Sequence, residues 1–226
     1  MATYALSDSE RARIAAAVTA AEARSTGEIV PVLSARADGY WDVALAWSAF
    51  VALLALAVLD WAPGFYLGLV GRLLGRWGGE WTPREVFGVA LLVATLKFAS
   101  MTLIQLWQPL RLLLVPAGIK RARVHARALT AFRLAAQGRT AGRSGVLVYL
   151  SLAERQAAII ADSALDGKVA PEAWGDAMHA MIGPLKARRI ADGLVAAIDH
   201  VGDVLARELP GGADDANAIP DSLIEI

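Results

Sequence analysis

Acidic side chains follow one apolar β-run in the second half of the sequence, and they are the clearest candidates for chemistry. Asp162 and Asp166 come directly after the run 157–161, and Glu172 and Asp176 follow. Carboxylate oxygens are the ligands that Ca²⁺ and Mg²⁺ prefer, and sites in α/β proteins often form where strands end. Aspartate before serine or glycine is also a good turn former. Asp162 and Asp166 therefore have two interpretations, a divalent-metal site or a turn, and the residue types favour the turn.

Other catalytic constellations are missing from the sequence. The absence of cysteine excludes disulfides, zinc–thiolate sites and a catalytic thiol. His125, His179 and His200 are isolated from one another and show no zinc-ligand spacing. Neither a G-x-S-x-G elbow nor a phosphate-binding glycine loop follows a strand pattern. We therefore expect no cofactor beyond the Ca²⁺ or Mg²⁺ that the acids would hold, and the sequence leans against an enzyme.

Two long apolar runs dominate the middle of the sequence. The first, 43–59, carries no charge, and the second, 86–107, carries only Lys97. The whole chain is 56% apolar and 19% charged, against about 45–50% and 25% in soluble proteins. A transmembrane helix needs about 17–25 apolar residues, and Trp41 and Trp61 flank the first run as interfacial aromatic residues do. The sequence predicts two membrane spans, in preference to buried helices of a soluble core.

Lys97 lies near the midpoint of the second span. A central lysine costs about 2.5–3.5 kcal/mol on insertion, which the surrounding apolar side chains offset at about 0.3–0.6 kcal/mol each. A charge inside a membrane is a functional hypothesis by default, yet no acidic residue lies in either run to pair with it. We favour an interpretation in which Lys97 snorkels or lies beside a neighbouring helix or protomer. The alternative, a transporter subunit that uses Lys97, requires oligomerisation because two spans cannot enclose a path.

Amphipathic segments accompany the two spans. Residues 65–77 place an apolar stripe opposite Arg72 and Arg76, which is typical of a helix in the bilayer interface. A basic helix is predicted over 119–137, after the second span. Four of its cations are candidates to bind anionic lipid headgroups, at about 1 kcal/mol per residue: Lys120, Arg121, Arg123 and Arg127. Since few aromatic residues interleave with them, lipid contact is favoured over nucleic acid.

Basic residues are more numerous outside the two spans than in the segment that connects them. The positive-inside rule therefore places both termini in the cytoplasm and the hairpin in the cell inner (cytoplasmic) membrane. The first residues contain charges and no apolar run, so we expect no signal peptide.

The flanks of the hairpin have the pattern of a soluble α/β domain. Ser7 and Glu10 form a capping box that starts a helix, and a strand at 28–33 follows, with Pro31 indicating an edge position. Beyond the spans, 145–151 is apolar throughout, as in a central strand covered on both faces. A hairpin joins it to the run at 157–161.

Two helices complete the second flank. The first begins at Pro171 and runs to about Arg188, and the second spans about 190–209. The polar tail at 211–226 is expected to be disordered.

Several short stretches of the flanks carry a family resemblance. They are Thr26-Gly27-Glu28-Ile29-Val30, Arg143 to Tyr149, Glu154-Arg155 leading into Ile159 to Asp162, Trp174, and Asp192-Gly193-Leu194. Together they resemble the TPM-domain family, in its membrane-bound bacterial branch, over most of residues 6–40 and 118–210. The resemblance implies a small α/β sandwich with about four strands and helices on both faces. A two-helix transmembrane hairpin within 41–117 would interrupt it.

The same resemblance implies acid-phosphatase activity, divalent-cation binding, or assembly and repair of membrane complexes. The first two depend on acidic residues after the second β-run, where Lys168 intrudes here. We therefore predict a membrane-tethered interaction or assembly module without catalytic activity. The alternative is a divalent-metal-dependent, acid-phosphatase-like enzyme that uses Asp162 and Asp166. The expected partners are membrane lipids and another membrane protein or complex, with oligomerisation left open and no nucleic acid.

Overall fold

The computed structural model describes residues 6–75, 80–136, 145–165, 168–211 and 222–226. The chain forms two compact units, one of Met1–Asp38 with Ala117–Ile226 and the other of Gly39–Pro116. In chain order the elements are α1 Asp8–Glu22, β1 Glu28–Ser34, α2 Trp41–Trp61, α3 Pro63–Leu73, α4 Pro83–Ile104, α5 Gln108–Leu114, α6 Ala117–Ala136, β2 Gly145–Ser151, β3 Gln156–Ala161, α7 Pro171–Lys186, α8 Ile190–Glu208 and β4 Ile224–Glu225, with a 3₁₀ turn at Ser163–Leu165.

The first unit contains a four-stranded sheet of order β3-β2-β1-β4. Its two long strands are β1, which precedes the second unit in the chain, and β2, which follows it. They pair in parallel, with Glu28 opposite Gly145 and Ser34 opposite Ser151. β2 and β3 form the expected antiparallel hairpin. The predicted α/β class with about four strands is therefore confirmed.

Pro31 occupies a position in β1 that suits its missing N–H. The carbonyl of Leu33 and the N–H of Ala35 bond to Ile226 of the β4 segment, whereas the carbonyl of Ser34 accepts from Leu152, next to β2. Because backbone groups alternate in direction along a strand, Pro31 faces the side of β1 away from β2. A proline there removes no hydrogen bond of the β1–β2 ladder.

Side chains of β1 and β2 alternate between two hydrophobic cores, one on each face of the sheet. On one face Ile29 and Val148 pack with residues of α1, α7 and α8. On the other face Val32 and Leu147 pack against Val124 of α6. Helices thus cover both faces, as predicted, and β2 is buried along its whole length.

Two helices begin with capping boxes, and the one at Ser7 was predicted. In α1 the Ser7 hydroxyl accepts from the Glu10 N–H at 3.3 Å, and the Glu10 carboxylate accepts from the Ser7 N–H at 2.8 Å. The Glu85 carboxylate accepts from the Thr82 N–H at 2.8 Å at the start of α4, and Pro83 occupies the first turn. Reciprocal bonds of this kind satisfy N–H groups that a helix leaves without an internal partner.

The end of the chain differs from the expected disordered tail. Residues 212–221 lie outside the described part, but Ile224–Glu225 form β4 against Val32 and Leu33. The Ile226 N–H donates to the carbonyl of Leu33 at 3.0 Å. The prediction is wrong here because an open strand edge offers unpaired backbone groups to any segment that reaches it, and the last residues are mostly apolar.

The second unit contains two helices that are long and apolar enough to cross a membrane. They are α2, with a mean hydropathy of 2.2, and α4, with a mean hydropathy of 1.9 over the most apolar window. α4 begins earlier and ends earlier than the predicted span at 86–107. α3 occupies the place of the predicted amphipathic helix at 65–77 and ends at Leu73, before Gly75 adopts a φ of 69°. Arg76 and Trp77 lie outside the described residues.

Candidate functional site

Polar side chains join α2 to α4 within a largely apolar pair of helices. The Gln105 side-chain amide donates to the carbonyl of Ala44 at 2.9 Å and lies 3.3 Å from the Ser48 hydroxyl. The Thr102 hydroxyl donates to Ser48 at 3.0 Å. These bonds connect the beginning of α2 with the end of α4, so the two helices run antiparallel. Polar contacts between helices are the usual way to specify packing where no water competes for them.

The outer surfaces of this pair are apolar. Leu53 of α2 is 66% exposed, and Phe87 and Leu91 of α4 are 75% and 71% exposed. Only 6% of the most apolar window of α4 is buried within the structure, compared with 28% for α2. A soluble protein rarely leaves so many large apolar side chains of two helices in water, and such exposure indicates contact with lipid or with another protein.

Lys97 lies on α4 among these apolar side chains. It lines a groove of about 430 Å³ formed by α2, α3 and α4, together with Val51, Tyr66 and Val93. The sequence identified the charge, but it could not show that three helices form a groove beside it. The structure does not test a role for Lys97 as an intramembrane charge, which stays a prediction.

The four predicted lipid-binding cations lie along α6. Arg121, Arg123 and Arg127 are exposed, and Lys120 is half-buried. Arg123 forms an ion pair with Asp38 at 3.2 Å. Because both side chains are partly exposed, the pair contributes about 0–1 kcal/mol to stability. Lys120, Arg123 and Arg127 share one stripe of the helix because they are spaced at three and four residues. Binding of lipid headgroups by this stripe remains a prediction.

Asp162 forms a turn in this structure. Its carboxylate accepts hydrogen bonds from the Ala164 N–H at 2.9 Å and from the Ser163 hydroxyl at 3.3 Å, at the start of the 3₁₀ turn. Asp166 lies outside the described residues. Within the described ranges no group of three or more His, Asp or Glu side chains is arranged to hold a metal ion. That Asp162 and Asp166 bind a metal stays a prediction. In this structure the Asp162 carboxylate accepts the hydrogen bonds of the turn.

A second polar group, which the sequence did not indicate, lies where β1 and β2 end. Ser34, Tyr149 and Ser151 face the α6 side of the sheet, and Glu154 joins them from the β2–β3 turn. All four are buried. Both oxygens of the Glu154 carboxylate accept from the N–H of Ala37 at 3.2 Å. The Ser151 hydroxyl also donates to Glu154. The carboxylate therefore ties the hairpin turn to the segment that leaves β1.

The environment of Tyr149 is electrostatically distinct. Burial raises the pKa of the Tyr149 hydroxyl above its ordinary value, and the negative charge of Glu154 adds to that increase. Ser34 and the positive charge of Arg127 act on this pKa in the opposite direction. A buried phenol with a raised pKa stays neutral at ordinary pH and is a poor base. The arrangement suits holding the chain in place better than proton transfer.

Sequence reasoning missed the contact of Glu154 because its partner is distant in the chain. Ala37 is 117 residues away from Glu154. The only available signal was an acidic side chain in a very short connection between two apolar strands, which ordinarily indicates a solvated turn.

Fold and site together define a class of protein: an α/β sandwich whose sequence is interrupted by a unit with two helices of membrane-spanning length. Residues 110–204 match the family model of the TPM domain. The resemblance to the TPM-domain family seen in the sequence is therefore confirmed over these residues.

The fold is also similar to a solved structure. The NMR structure of BA42 protein from the psychrophilic bacterium Bizionia argentinensis aligns with a TM-score of 0.56 and 16% sequence identity, over 100% of this chain and 99% of that one. At this identity the likeness concerns the fold alone. No curated protein matches the sequence.

Proposed function

We propose that this protein is a TPM domain tethered to a membrane by its helical hairpin, and that it serves as an interaction or assembly module without catalytic activity. The observation that carries the proposal is the apolar outer surface of α2 and α4. Leu91 of α4, for example, is 71% exposed. Burial of such surface in hydrocarbon stabilises insertion by about 25 cal/mol per Å², so contact with lipid is strongly favoured over contact with water.

The polar groups of the pair are compatible with that environment. A helix satisfies its own backbone groups in a membrane, and the side chains of Ser48, Thr102 and Gln105 bond to one another or to helix carbonyls. A transmembrane pair needs such internal bonds because hydrocarbon offers none; among the described residues, the side-chain oxygen of Gln105 is buried without a hydrogen-bond partner.

The sheet supports a topology with an even number of spans. β1 precedes the hairpin and β2 follows it, and the two strands pair over seven residues each. Both flanks must therefore lie on the same side of the membrane. The greater number of basic residues on the flanks supports the cytoplasmic side of a bacterial inner membrane, where the stripe on α6 would contact anionic headgroups.

The polar groups of the sandwich support a role other than catalysis. The Asp162 carboxylate caps a turn, and the Glu154 carboxylate holds the N–H of Ala37. The alternative, a divalent-metal-dependent phosphatase, would need Asp162 to leave its turn and to ligate metal together with Asp166. Hydrolysis of a generic phosphoester by the purified protein, lost in Asp162→Ala, would support that alternative and contradict the proposal.

Membrane insertion can be tested by labelling single introduced cysteines, because the natural sequence contains none. Single cysteines replacing Ser9, Gly64 and Glu172 give one label site in each flank and one in α3. In intact bacterial cells a membrane-impermeant maleimide should label only the cysteine at 64, and cell lysis should expose the other two. The protein should also stay in the membrane fraction after alkaline carbonate extraction. Release by carbonate would contradict tethering, and opposite labelling of the two flanks would contradict the topology.

A further inference from the structure

Lys97 carries a positive charge at a depth where a membrane provides no counter-ion. At 1.5 Å per residue it lies about 10 Å from the end of α4 at Ile104 and about 21 Å from its start at Pro83. The hydrocarbon core is about 30 Å thick, so the charge falls well inside it. No acidic residue lies at 43–59 or 86–107 to neutralise it.

The direction of the side chain keeps this charge inside the membrane. Side chains of a helix lean toward its N-terminus, so Lys97 leans away from Ile104, the nearer end of α4. It lies on the same face as Val89 and Val93, four and eight residues earlier, and these residues also line the groove. Snorkelling to the nearer interface would require the side chain to turn against this lean. Lys97 is exposed and is one of the residues that line the groove, so its amine is accessible to a molecule bound there.

The groove is lined by apolar side chains apart from the amine of Lys97 and the hydroxyl of Tyr66. Val51 and Val58 of α2 and Tyr66 of α3 complete the lining opposite α4. Charged groups within membranes pair with opposite charges or with backbone carbonyls. An occupant of the groove must therefore present an apolar surface and one negatively charged or strongly accepting group at the level of Lys97.

We propose that this groove binds a transmembrane helix of a partner protein that carries a carboxylate facing Lys97. The inference rests on the membrane-tethered function proposed above, and it names the partner by its chemistry. A helix can carry a carboxylate at any depth, whereas the phosphate of a lipid is held at the interface, about 15 Å from the centre of the bilayer. The depth of Lys97 thus favours a protein partner over a lipid.

A second copy of this chain does not suit the groove. Copies related by rotation about the membrane normal would bring Lys97 to the same depth in each, and neither span supplies an acid there. Two like charges in a medium of low dielectric constant repel strongly. Charge complementarity therefore assigns the groove to a different membrane protein.

The test uses the full chain in phosphatidylcholine vesicles, with a donor dye on Gly64→Cys, whose position has open space around it. The probe is a synthetic leucine–alanine transmembrane helix with one central glutamate and an acceptor dye, and matched helices have glutamine or leucine instead. We expect energy transfer to show about tenfold tighter binding of the glutamate helix, since polar contacts between membrane helices are worth about 1–2 kcal/mol. Lys97→Met should abolish this preference and Lys97→Arg should keep it.

Two further variants separate the charge from the groove. Leu96→Met changes the neighbouring side chain, which does not line the groove, and should leave the preference intact. Val93→Trp fills the groove and should weaken binding of the glutamate helix. Equal binding of the three helices, or a preference that survives in Lys97→Met, would overturn the proposal. So would Lys97-dependent binding of phosphatidylglycerol that displaces the glutamate helix, because the occupant would then be a lipid.

Failure of this inference can be told apart from failure of the proposed function. Reconstituted protein that withstands carbonate extraction but shows no preference for the glutamate helix would remove only the inference. Protein that floats with the vesicles but is released by carbonate would remove the membrane-tethered function as well.

Discussion

Gly202 of α8 packs directly against Ala21 of α1, and replacing it by alanine should destabilise the domain. A Cβ at this position would lie 2.6 Å from the Cβ and 3.3 Å from the Cα of Ala21. Carbon atoms pack at about 3.5–4.0 Å, so the two helices would have to separate by about 1 Å. Overpacking of this kind costs about 1–3 kcal/mol, and the better helix propensity of alanine returns up to about 1 kcal/mol.

We therefore expect Gly202→Ala to lower the free energy of unfolding by about 1–2 kcal/mol. Hydrogen exchange of the β2 amides, followed by mass spectrometry on the full chain in detergent, measures this change. Amides that exchange only through global opening should exchange about 5- to 30-fold faster. The contact joins a helix before the inserted unit to one after it, so the experiment also tests whether the two flanks fold as one domain.

Gly175 provides the matched control. It is exposed in α7, and a Cβ there would meet nothing within 4 Å. Gly175→Ala should therefore stabilise the domain by up to about 1 kcal/mol through helix propensity alone, and exchange should become slower. If Gly202→Ala exchanged as slowly as the wild type, or if both variants changed exchange in the same direction, the close packing of α1 on α8 would be refuted.

Three further predictions concern the titrating and buried groups of the sandwich. The hydrogen bond from Arg13 holds the pKa of Asp192 below its ordinary value. The stabilisation of the fold by ionised Asp192 is present above about pH 4 and disappears as pH falls through the pKa of the folded state. Asp192→Asn should therefore lose less stability in acid than the wild type. A urea titration that showed equal acid dependence in both proteins would contradict this. Burial raises the pKa of Tyr149, so its contribution is complete below about pH 10 and is lost as pH rises through the folded pKa. The wild type should lose more stability than Tyr149→Phe between pH 9 and 11, and identical urea midpoints for the pair across that range would argue otherwise. Glu154→Ala leaves the N–H of Ala37 without its carboxylate partner, which should lower the free energy of unfolding by about 1–3 kcal/mol and shift the urea midpoint to a lower concentration. An unchanged midpoint would show that water replaces the carboxylate.

The sequence predicted those features that depend on neighbouring residues. The capping box at Ser7 uses a residue only three positions away, Glu10. The strand Gly145–Ser151 has the bounds expected from its apolar run. Local patterns of this kind are sufficient because the physical cause, a cap or a buried strand, acts within a few residues.

Features that join distant segments could not be predicted in this way. β4 has only two residues, too few for an alternating pattern, and its position depends on the free edge of β1. The contact of Gly202 with Ala21 and the bond from Ala37 to Glu154 arise only when the chain is folded. The candidate site follows the same rule: the charge of Lys97 is visible in the sequence, but the groove around it needs three helices.

The inserted unit is compatible with the sandwich because its first and last residues contact each other. Parallel strands such as β1 and β2 always need a crossover connection, and here that connection contains the second unit as well as α6. Arg111, near the end of the unit, is buried; it donates to the carbonyl of Gly39 at 3.0 Å and lies 4.2 Å from the centre of the Trp41 ring. The indole of Trp47 donates to the carbonyl of Leu114 at 3.1 Å. Each of these contacts joins the first residues of the unit to its last ones. A hairpin closed in this way adds two long helices between β1 and β2 without changing the register of the strands.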